Sequence, residues 1–210
     1  MTHPRQTPRP ARAGRTVLGA ATVAMGLIAG VFYAFACAVM PALARADDRT
    51  YVAVMRDIND VIQNPVFFLS FLGALVLTAV SAWQLRGSAG GRWAGAALVA
   101  YTLAFLVTVA FSVPLNDVLA GGGTPASLRE HFEGPWVAWN VVRTVLSTVA
   151  LGCLARALLR MGAAAPAGGP RHPAPDAAAP SGPLPSHAPG RPRTSRQTPP
   201  SPRQTPPSPR

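Results

Sequence analysis

The sequence predicts an all-α fold: a four-helix transmembrane bundle with an amphipathic helix in an outer loop and a disordered C-terminal tail rich in Pro and Arg. Four long apolar segments occupy the first 160 of the 210 residues. Each is close to the roughly 20 residues that a helix needs to cross a bilayer. Backbone groups in lipid must bond to one another, which favours helices. Most of the 23 prolines and no aromatic side chain follow residue 160, so that part is not expected to form a core.

The predicted transmembrane domain covers residues 17–160, after a basic cytoplasmic arm at 1–16 and before the tail at 161–210. Its spans are predicted at 17–40, 65–85, 93–113 and 138–159. A cleaved signal peptide is the alternative for the first span. With 24 residues, that span exceeds the roughly 7–15 residues of a signal-peptide core, which favours a membrane span.

The placement of arginine predicts the orientation. Nine arginines lie near the helix ends on the side of both termini, whereas the other side has four and carries seven of the eight acidic residues. Cytoplasmic loops carry the excess of basic residues. We therefore expect a multi-pass protein of the cell membrane, with both termini cytoplasmic and the lipid bilayer as a partner. Nucleic acid is not an expected partner despite the net charge of +11, because the arginines lack interleaved aromatic residues.

Each of the two outer loops is predicted to contain a helix. Between residues 48 and 63, four apolar side chains recur at helical spacing: Val52, Met55, Ile58 and Ile62. This pattern predicts an amphipathic helix over the outer end of the bundle. A second short helix is expected from Thr124 to Glu133, where Gly134 would end it. Pro114 is expected to close the third span and to leave Asn116 over the mouth of the bundle.

Two features leave alternatives open. The pattern Gly26–Gly30 matches GxxxG, which allows close packing either within the chain or between two copies, so the oligomeric state stays open. The tail repeats the segment Arg-Gln-Thr-Pro-Pro-Ser-Pro. It is interpreted as a lipid-binding segment, as a ligand for a proline-recognising partner, or as an expanded repeat without a role.

Polar side chains within the spans concentrate toward their outer ends. They are Tyr33, Cys37, Asn64, Ser112, Asn140 and Arg143. Polar groups at membrane depth are costly unless they face one another or a wet cavity. The sequence therefore predicts an outward-opening cleft.

The fourth span carries the strongest pattern. Its residues Trp136, Asn140, Arg143 and Ser147 share one helical face. Two interpretations of Arg143 remain: an anion-binding group that faces the cleft, or a snorkelling side chain stacked on Trp139.

The predicted cleft has several candidates for chemistry. Asn64, Asn116 and Asn140 are expected to converge from three helices. His131 is the candidate proton acceptor, because the ordinary pKa of histidine lies near neutrality. The alternatives are the loop acids Asp57, Asp60, Asp117, Glu130 and Glu133. No cluster has metal-ligand spacing and no pair of intramembrane histidines could hold haem, so no metal and no cofactor is expected.

Six segments together resemble the anthrone oxygenase-like family of four-helix membrane proteins, much of which is known only as a domain of unknown function. They are residues 26–35, 39–43, 58–59, 64–67, 113–116 and 139–144, with the sequences GLIAGVFYAF, VMPAL, IN, NPVF, VPLN and WNVVRT. The resemblance covers roughly residues 15–160. It implies a cofactor-free oxygenase, because fungal members convert anthrones into anthraquinones with dioxygen. It marks Asn64, Asn116, Asn140 and Arg143.

We assign expected roles for such a reaction. Arg143, Asn116 and Asn140 would stabilise an oxyanion, with His131 as the catalytic base. A small aromatic substrate would contact Asn64 and the rings of Phe67, Trp136, Trp139 and Tyr33. The alternative is a non-catalytic membrane protein that acts as a scaffold or binds an apolar ligand or lipid.

Overall fold

The structure is a computed structural model that describes residues 9–163. The predicted tail from residue 164 onward and the first eight residues of the predicted arm lie outside this range. Helix makes up 91% of the described chain, which has no strand, so the predicted all-α fold is confirmed.

The described residues form seven α-helices and two π-helical turns. Their bounds are α1 Arg9–Ala34, a first π-turn Phe35–Val39, α2 Met40–Leu43, α3 Asp48–Ile62, α4 Pro65–Gln84, α5 Ala89–Val107, a second π-turn Thr108–Ser112, α6 Val113–Ala120 and α7 Pro125–Ala163. Four continuous helical stretches are long and apolar enough to cross a membrane: Ala13–Leu43, Pro65–Gln84, Ala89–Ala120 and Pro125–Met161. The chain is therefore a multi-pass membrane protein. The amphipathic helix predicted in the first outer loop is α3.

The third and fourth spans are longer than the sequence predicted. Pro114 does not close the third span, which continues through α6 to Ala120. The predicted separate helix at 124–133 is also wrong, because α7 runs through Gly134 and Pro135. A buried stripe explains this continuity. Leu128, Phe132 and Trp136 recur every four residues and pack in one cluster, which requires the helix to pass through the Gly-Pro pair.

Each π-helical turn accommodates a proline. The first begins six residues before Pro41 and the second begins six residues before Pro114. Proline has no N–H, and its ring clashes with the carbonyl four residues earlier. A turn with bonds between residues five apart relieves this clash. Such bonds join the Met40 N–H to the Phe35 carbonyl and the Val113 N–H to the Thr108 carbonyl. Turns of this kind occur often at functional sites.

The helix α3 closes one end of the bundle, which we call the α3 end. Tyr51, Val52 and Met55 on its inner face are buried against Leu119 and the stripe on α7. A separate apolar core fills the space between the spans toward the other end. The α3 end therefore has its own small core, which fixes α3 on the spans.

Two arginines at the α3 end donate hydrogen bonds to the carbonyls at the ends of two spans. Arg56 of α3 donates to the carbonyls of Leu119 and Gly121, at 2.8 and 2.7 Å, at the end of the third span. Arg129 of α7 donates to the carbonyls of Ala46 and Ala44, at 2.8 and 3.1 Å, after the first span. Carbonyls at helix C-termini lack partners within the helix. Each arginine thus satisfies the end of a span in the other half of the bundle.

The arrangement predicts that Arg129→Met lowers stability. The variant would leave these carbonyls unpaired and would break the ion pair of Arg129 with Asp48, so we expect a loss of about 1.5–3 kcal/mol. Unfolding in detergent, followed by circular dichroism, measures the effect. Arg49→Met is the control, because Arg49 is exposed on α3. Equal stability of the two variants would contradict a structural role for Arg129.

Candidate functional site

A cavity lies between the spans next to the α3 end. Its volume of about 350 Å³ falls within the roughly 300–1,000 Å³ typical of small-molecule sites. It is lined by Val31, Phe32, Phe35, Ile58, Asn59, Ile62, Gln63, Phe67, Phe68, Phe71, Leu72, Phe105, Thr108, Val109, Ser112, Val113, Asn116, Asp117, Trp136, Asn140 and Arg143. Both π-helical turns contribute to this lining. The cavity therefore lies between the spans at one end of the bundle.

Stacked rings form one wall of the cavity. Phe71 lies between Phe67 and Phe105, with ring centroids 5.5 and 5.3 Å away and interplanar angles of 11° and 24°. The Tyr101 hydroxyl donates to the Phe71 carbonyl at 2.9 Å and fixes this helix pair from behind. Phe71 thus stacks on a ring at each side, and the three rings give this part of the cavity an apolar aromatic lining.

Arg143 is the buried cation of the cavity, with 5% of its surface exposed. Its guanidinium carbon lies 4.5 Å from the centroid of the Phe32 ring and 5.3 Å from that of Trp136. Its Nη2 donates to Asn140 Oδ1 at 3.1 Å. Among the described residues it has no carboxylate partner. Arg143 therefore faces the cavity rather than snorkelling, and its charge is balanced only by ring faces and one amide.

Two buried polar atoms on the cavity wall have no hydrogen-bond partner in the described part of the chain: Arg143 Nε and Ser112 Oγ. Leaving such a donor unpaired costs about 1–3 kcal/mol, and more for a charged group. Native proteins satisfy most buried polar atoms. Both atoms belong to residues that line the cavity.

Two asparagines hold the groups around Arg143. Asn140, which is 1% exposed, donates to the Phe32 carbonyl at 3.1 Å and thereby joins α7 to α1. Asn116 accepts a hydrogen bond of 2.9 Å from the indole N–H of Trp136. Both asparagines line the cavity, and their oxygens accept hydrogen bonds from Arg143 and Trp136.

Four predicted site residues lie outside the cavity lining. Asn64 does not converge with the other asparagines, because its oxygen caps α4 by accepting from the Val66 and Phe67 N–H groups at 3.0 Å. Trp139 stacks on Phe111 at 4.0 Å instead of on Arg143.

The other two residues are exposed. Tyr33 has 61% of its surface exposed on the outside of α1. His131 is exposed and bonds to the Ser127 carbonyl at 2.7 Å. It lies five residues before Trp136, which turns it roughly 140° from the cavity face of α7. The structure does not place His131 where it could accept a proton from a molecule in the cavity.

Several cavity residues were not among the predicted site residues. Asp117 follows Asn116 on α6 and is the one carboxylate in the cavity lining. The sequence had placed it only among the loop acids. Phe32, Phe71 and Phe105 carry no local signal that separates them from other phenylalanines in the spans. Asn59 lies in residues 58–59, one of the segments that resemble the family, and this resemblance could have identified it as a site residue. No group of three or more His, Cys, Asp or Glu within residues 9–163 could hold a metal ion.

The fold and the cavity define a multi-pass α-helical membrane protein with an aromatic binding pocket and a buried arginine. Residues 63–153 match the family described as anthrone oxygenase. This match confirms the resemblance of the chain to an anthrone oxygenase-like family. The matched region begins before α4 and ends within α7, so it contains Asp117, Asn140 and Arg143 and excludes the walls contributed by α1 and α3. Searches of curated proteins and of solved structures found no significant match.

The unpaired donors predict that Arg143 contributes little to stability. Replacing a buried charge by an apolar side chain of similar length is often neutral or stabilising. We therefore expect Arg143→Met to unfold in detergent at the wild-type temperature or above it. Asn140→Leu is the comparison, since loss of its bond to Phe32 should cost about 0.5–1.5 kcal/mol. A marked loss of stability in Arg143→Met would identify the arginine as a structural group.

Proposed function

We propose that this protein oxidises an anthrone-like or phenolic aromatic with dioxygen inside the cavity, without a bound cofactor. The single observation that carries the proposal is the pairing of the stacked aromatic wall with a buried cation that lacks a carboxylate partner. The family match supports the choice of reaction. The substrate would lie against Phe67 and Phe71, with its oxygen directed toward Arg143 Nε and Ser112 Oγ.

The first step is removal of a proton from the carbon opposite the anthrone carbonyl. The electron pair of this C–H bond moves into the rings, and the carbonyl oxygen becomes an aryl oxyanion. Arg143 and Ser112 would donate to this oxyanion, and donors of this kind stabilise charge strongly in a site that excludes water. Asp117 is the proposed proton acceptor, since it is the carboxylate of the cavity lining. Asn116 and Asn140 act as positioning residues for Trp136 and Arg143.

The second step is oxidation of the anion by dioxygen. One electron passes from the electron-rich ring to dioxygen, and the resulting radical pair joins to form a C–O bond. The ring peroxide anion takes back the proton from Asp117. The hydroperoxide then loses water as its O–O bond breaks and the remaining proton leaves the same carbon. Anthrone and dioxygen thus give anthraquinone and water. The substrate supplies the electrons, so the chain needs only to bind, deprotonate and stabilise the anion.

The proposal includes an orientation in the cell membrane. The arginine distribution favours cytoplasmic termini. One span lies between the N-terminus and α3. With a cytoplasmic N-terminus, the α3 end and the cavity beside it would therefore lie at the extracytoplasmic face.

The first functional prediction concerns Arg143. Loss of one oxyanion donor typically lowers kcat by about 10²–10³-fold. We expect Arg143→Met to reduce oxygen uptake with emodin anthrone by this order, and Arg143→Lys to retain part of the activity because it keeps a charge. Oxygen consumption by purified protein in nanodiscs measures the rates. Uptake by the wild type no faster than by Arg143→Met would contradict the oxidation and would favour a protein that only binds an apolar ligand.

The second functional prediction concerns the proton acceptor. General base catalysis contributes about 10²–10⁴-fold, so Asp117→Asn should lower kcat by that order while the substrate still binds. Asp60→Asn is the matched control, because Asp60 is an exposed acid of α3 outside the cavity lining. His131→Gln should also retain full activity. Full activity of Asp117→Asn would rule out Asp117 as the base.

A further inference from the structure

A second depression opens on the outside of the bundle along the seam between α1 and α4. Its volume is about 920 Å³, and its walls are apolar. Val23, Leu69 and Val76 in these walls have 65%, 77% and 59% of their surfaces exposed. The one polar side chain in the lining, Ser70, donates to the Val66 carbonyl at 3.1 Å and is satisfied. We call this depression the lipid groove, because an apolar surface on a membrane span faces lipid.

The lipid groove and the cavity share two lining residues, Phe68 and Leu72. Both side chains are partly exposed, at 42% and 46%. Phe68 and Leu72 therefore stand where the groove meets the cavity, on the same helix as the aromatic wall formed by Phe67 and Phe71. Side chains on a surface change rotamer within nanoseconds, so such a partition opens readily.

We propose that the lipid groove is the passage by which an aromatic substrate dissolved in the bilayer enters the cavity. The proposal rests on the function proposed for the cavity. It adds that the substrate comes from the bilayer rather than from water, and it names the route. A flat molecule made mostly of apolar surface concentrates in lipid rather than in water. From Phe68 to Leu77 the groove follows α4 for about 14 Å, long enough to hold a fused ring system.

The chemistry of the two openings supports this route. The side of the cavity toward α3 carries the polar side chains of Asn59, Gln63 and Asp117. An apolar molecule that entered there would have to displace water from these groups, which is unfavourable. The groove side presents no unsatisfied polar side chain. The polar opening suits the exchange of protons and water, and the lipid groove suits the substrate.

One glycine offers a direct test. A Cβ atom added at Gly73 in the lipid groove would meet no atom within 4 Å, so the backbone position accepts a side chain and Gly73→Leu adds one to the groove wall. Gly95 on α5 is the matched control. It is also a partly exposed helical glycine whose added Cβ would meet nothing within 4 Å, and it lines neither the groove nor the cavity.

The experiment measures ligand exchange rather than turnover. The proteins carry Trp83→Phe, Trp93→Phe and Trp139→Phe, so that Trp136 in the cavity is the remaining indole. They are embedded in nanodiscs, and anthraquinone in the lipid quenches Trp136 fluorescence when it binds. Stopped-flow mixing gives the association and dissociation rate constants. We expect Gly73→Leu to lower both by at least about fivefold with an unchanged Kd, whereas Gly95→Leu matches the parent protein. Leu72→Ala should raise both rate constants.

Each other outcome overturns a defined part of the argument. Unchanged rate constants in Gly73→Leu, with normal quenching, would overturn the passage and leave the cavity function intact. A higher Kd in Gly73→Leu would make the groove part of the binding site, which also overturns the passage. Quenching without oxygen uptake from the anthrone would overturn the oxidation, whereas the rate constants would still decide the passage. Absence of quenching in the parent protein would overturn both.

Discussion

The guanidinium of Arg143 is the constraint on which the rest of the site depends. A buried cation in an apolar bundle is expensive unless its surroundings compensate it. Here the faces of Phe32 and Trp136 and the Asn140 oxygen supply that compensation. Asn140 in turn holds the Phe32 carbonyl, and Asn116 holds the Trp136 indole. The groups that lower the cost of the charge also hold it in one position beside the cavity, where it has no carboxylate partner among the described residues.

The two prolines account for where the cavity forms. Each lies within a span near the α3 end, and each is preceded by a π-helical turn that contributes to the cavity lining, with Phe35 on one side and Ser112 on the other. A wider turn displaces the following residues relative to a regular α-helix, which opens space between spans. Arg56 and Arg129 then donate hydrogen bonds to carbonyls at the ends of these spans, each from the other half of the chain. The same arrangement thus occurs twice around one pocket: a span with a π-turn and a proline, whose end is hydrogen-bonded by an arginine from elsewhere in the chain.

The sequence was sufficient for the spans and for one face of the site, and the reasons are physical. Hydropathy predicts spans because the hydrocarbon of the bilayer requires long apolar helices. Helical periodicity places Asn140, Arg143 and Ser147 on one face without knowledge of the helices that pack against it. The bounds failed at Gly134 and Pro135, where the stripe of Leu128 and Trp136 outweighs two helix breakers. Contacts between spans depend on how each helix rotates about its axis, which one sequence does not specify. Asn64 is an example: it was expected to converge with Asn116 and Asn140, but its side chain caps the start of α4 instead.

The proposed entry route and the proposed chemistry support each other through charge. A neutral anthrone moves freely between lipid and cavity, since no charge has to leave water. Once Asp117 takes its proton, the aromatic is an anion, and an anion in hydrocarbon carries a large desolvation penalty. The apolar groove then becomes a barrier to return, and Arg143 provides a compensating positive charge in the cavity lining. Oxidation to a neutral quinone removes the negative charge and with it the attraction to Arg143. Binding, retention and release would therefore follow from the change of charge on the ligand, while Arg143 keeps its positive charge throughout.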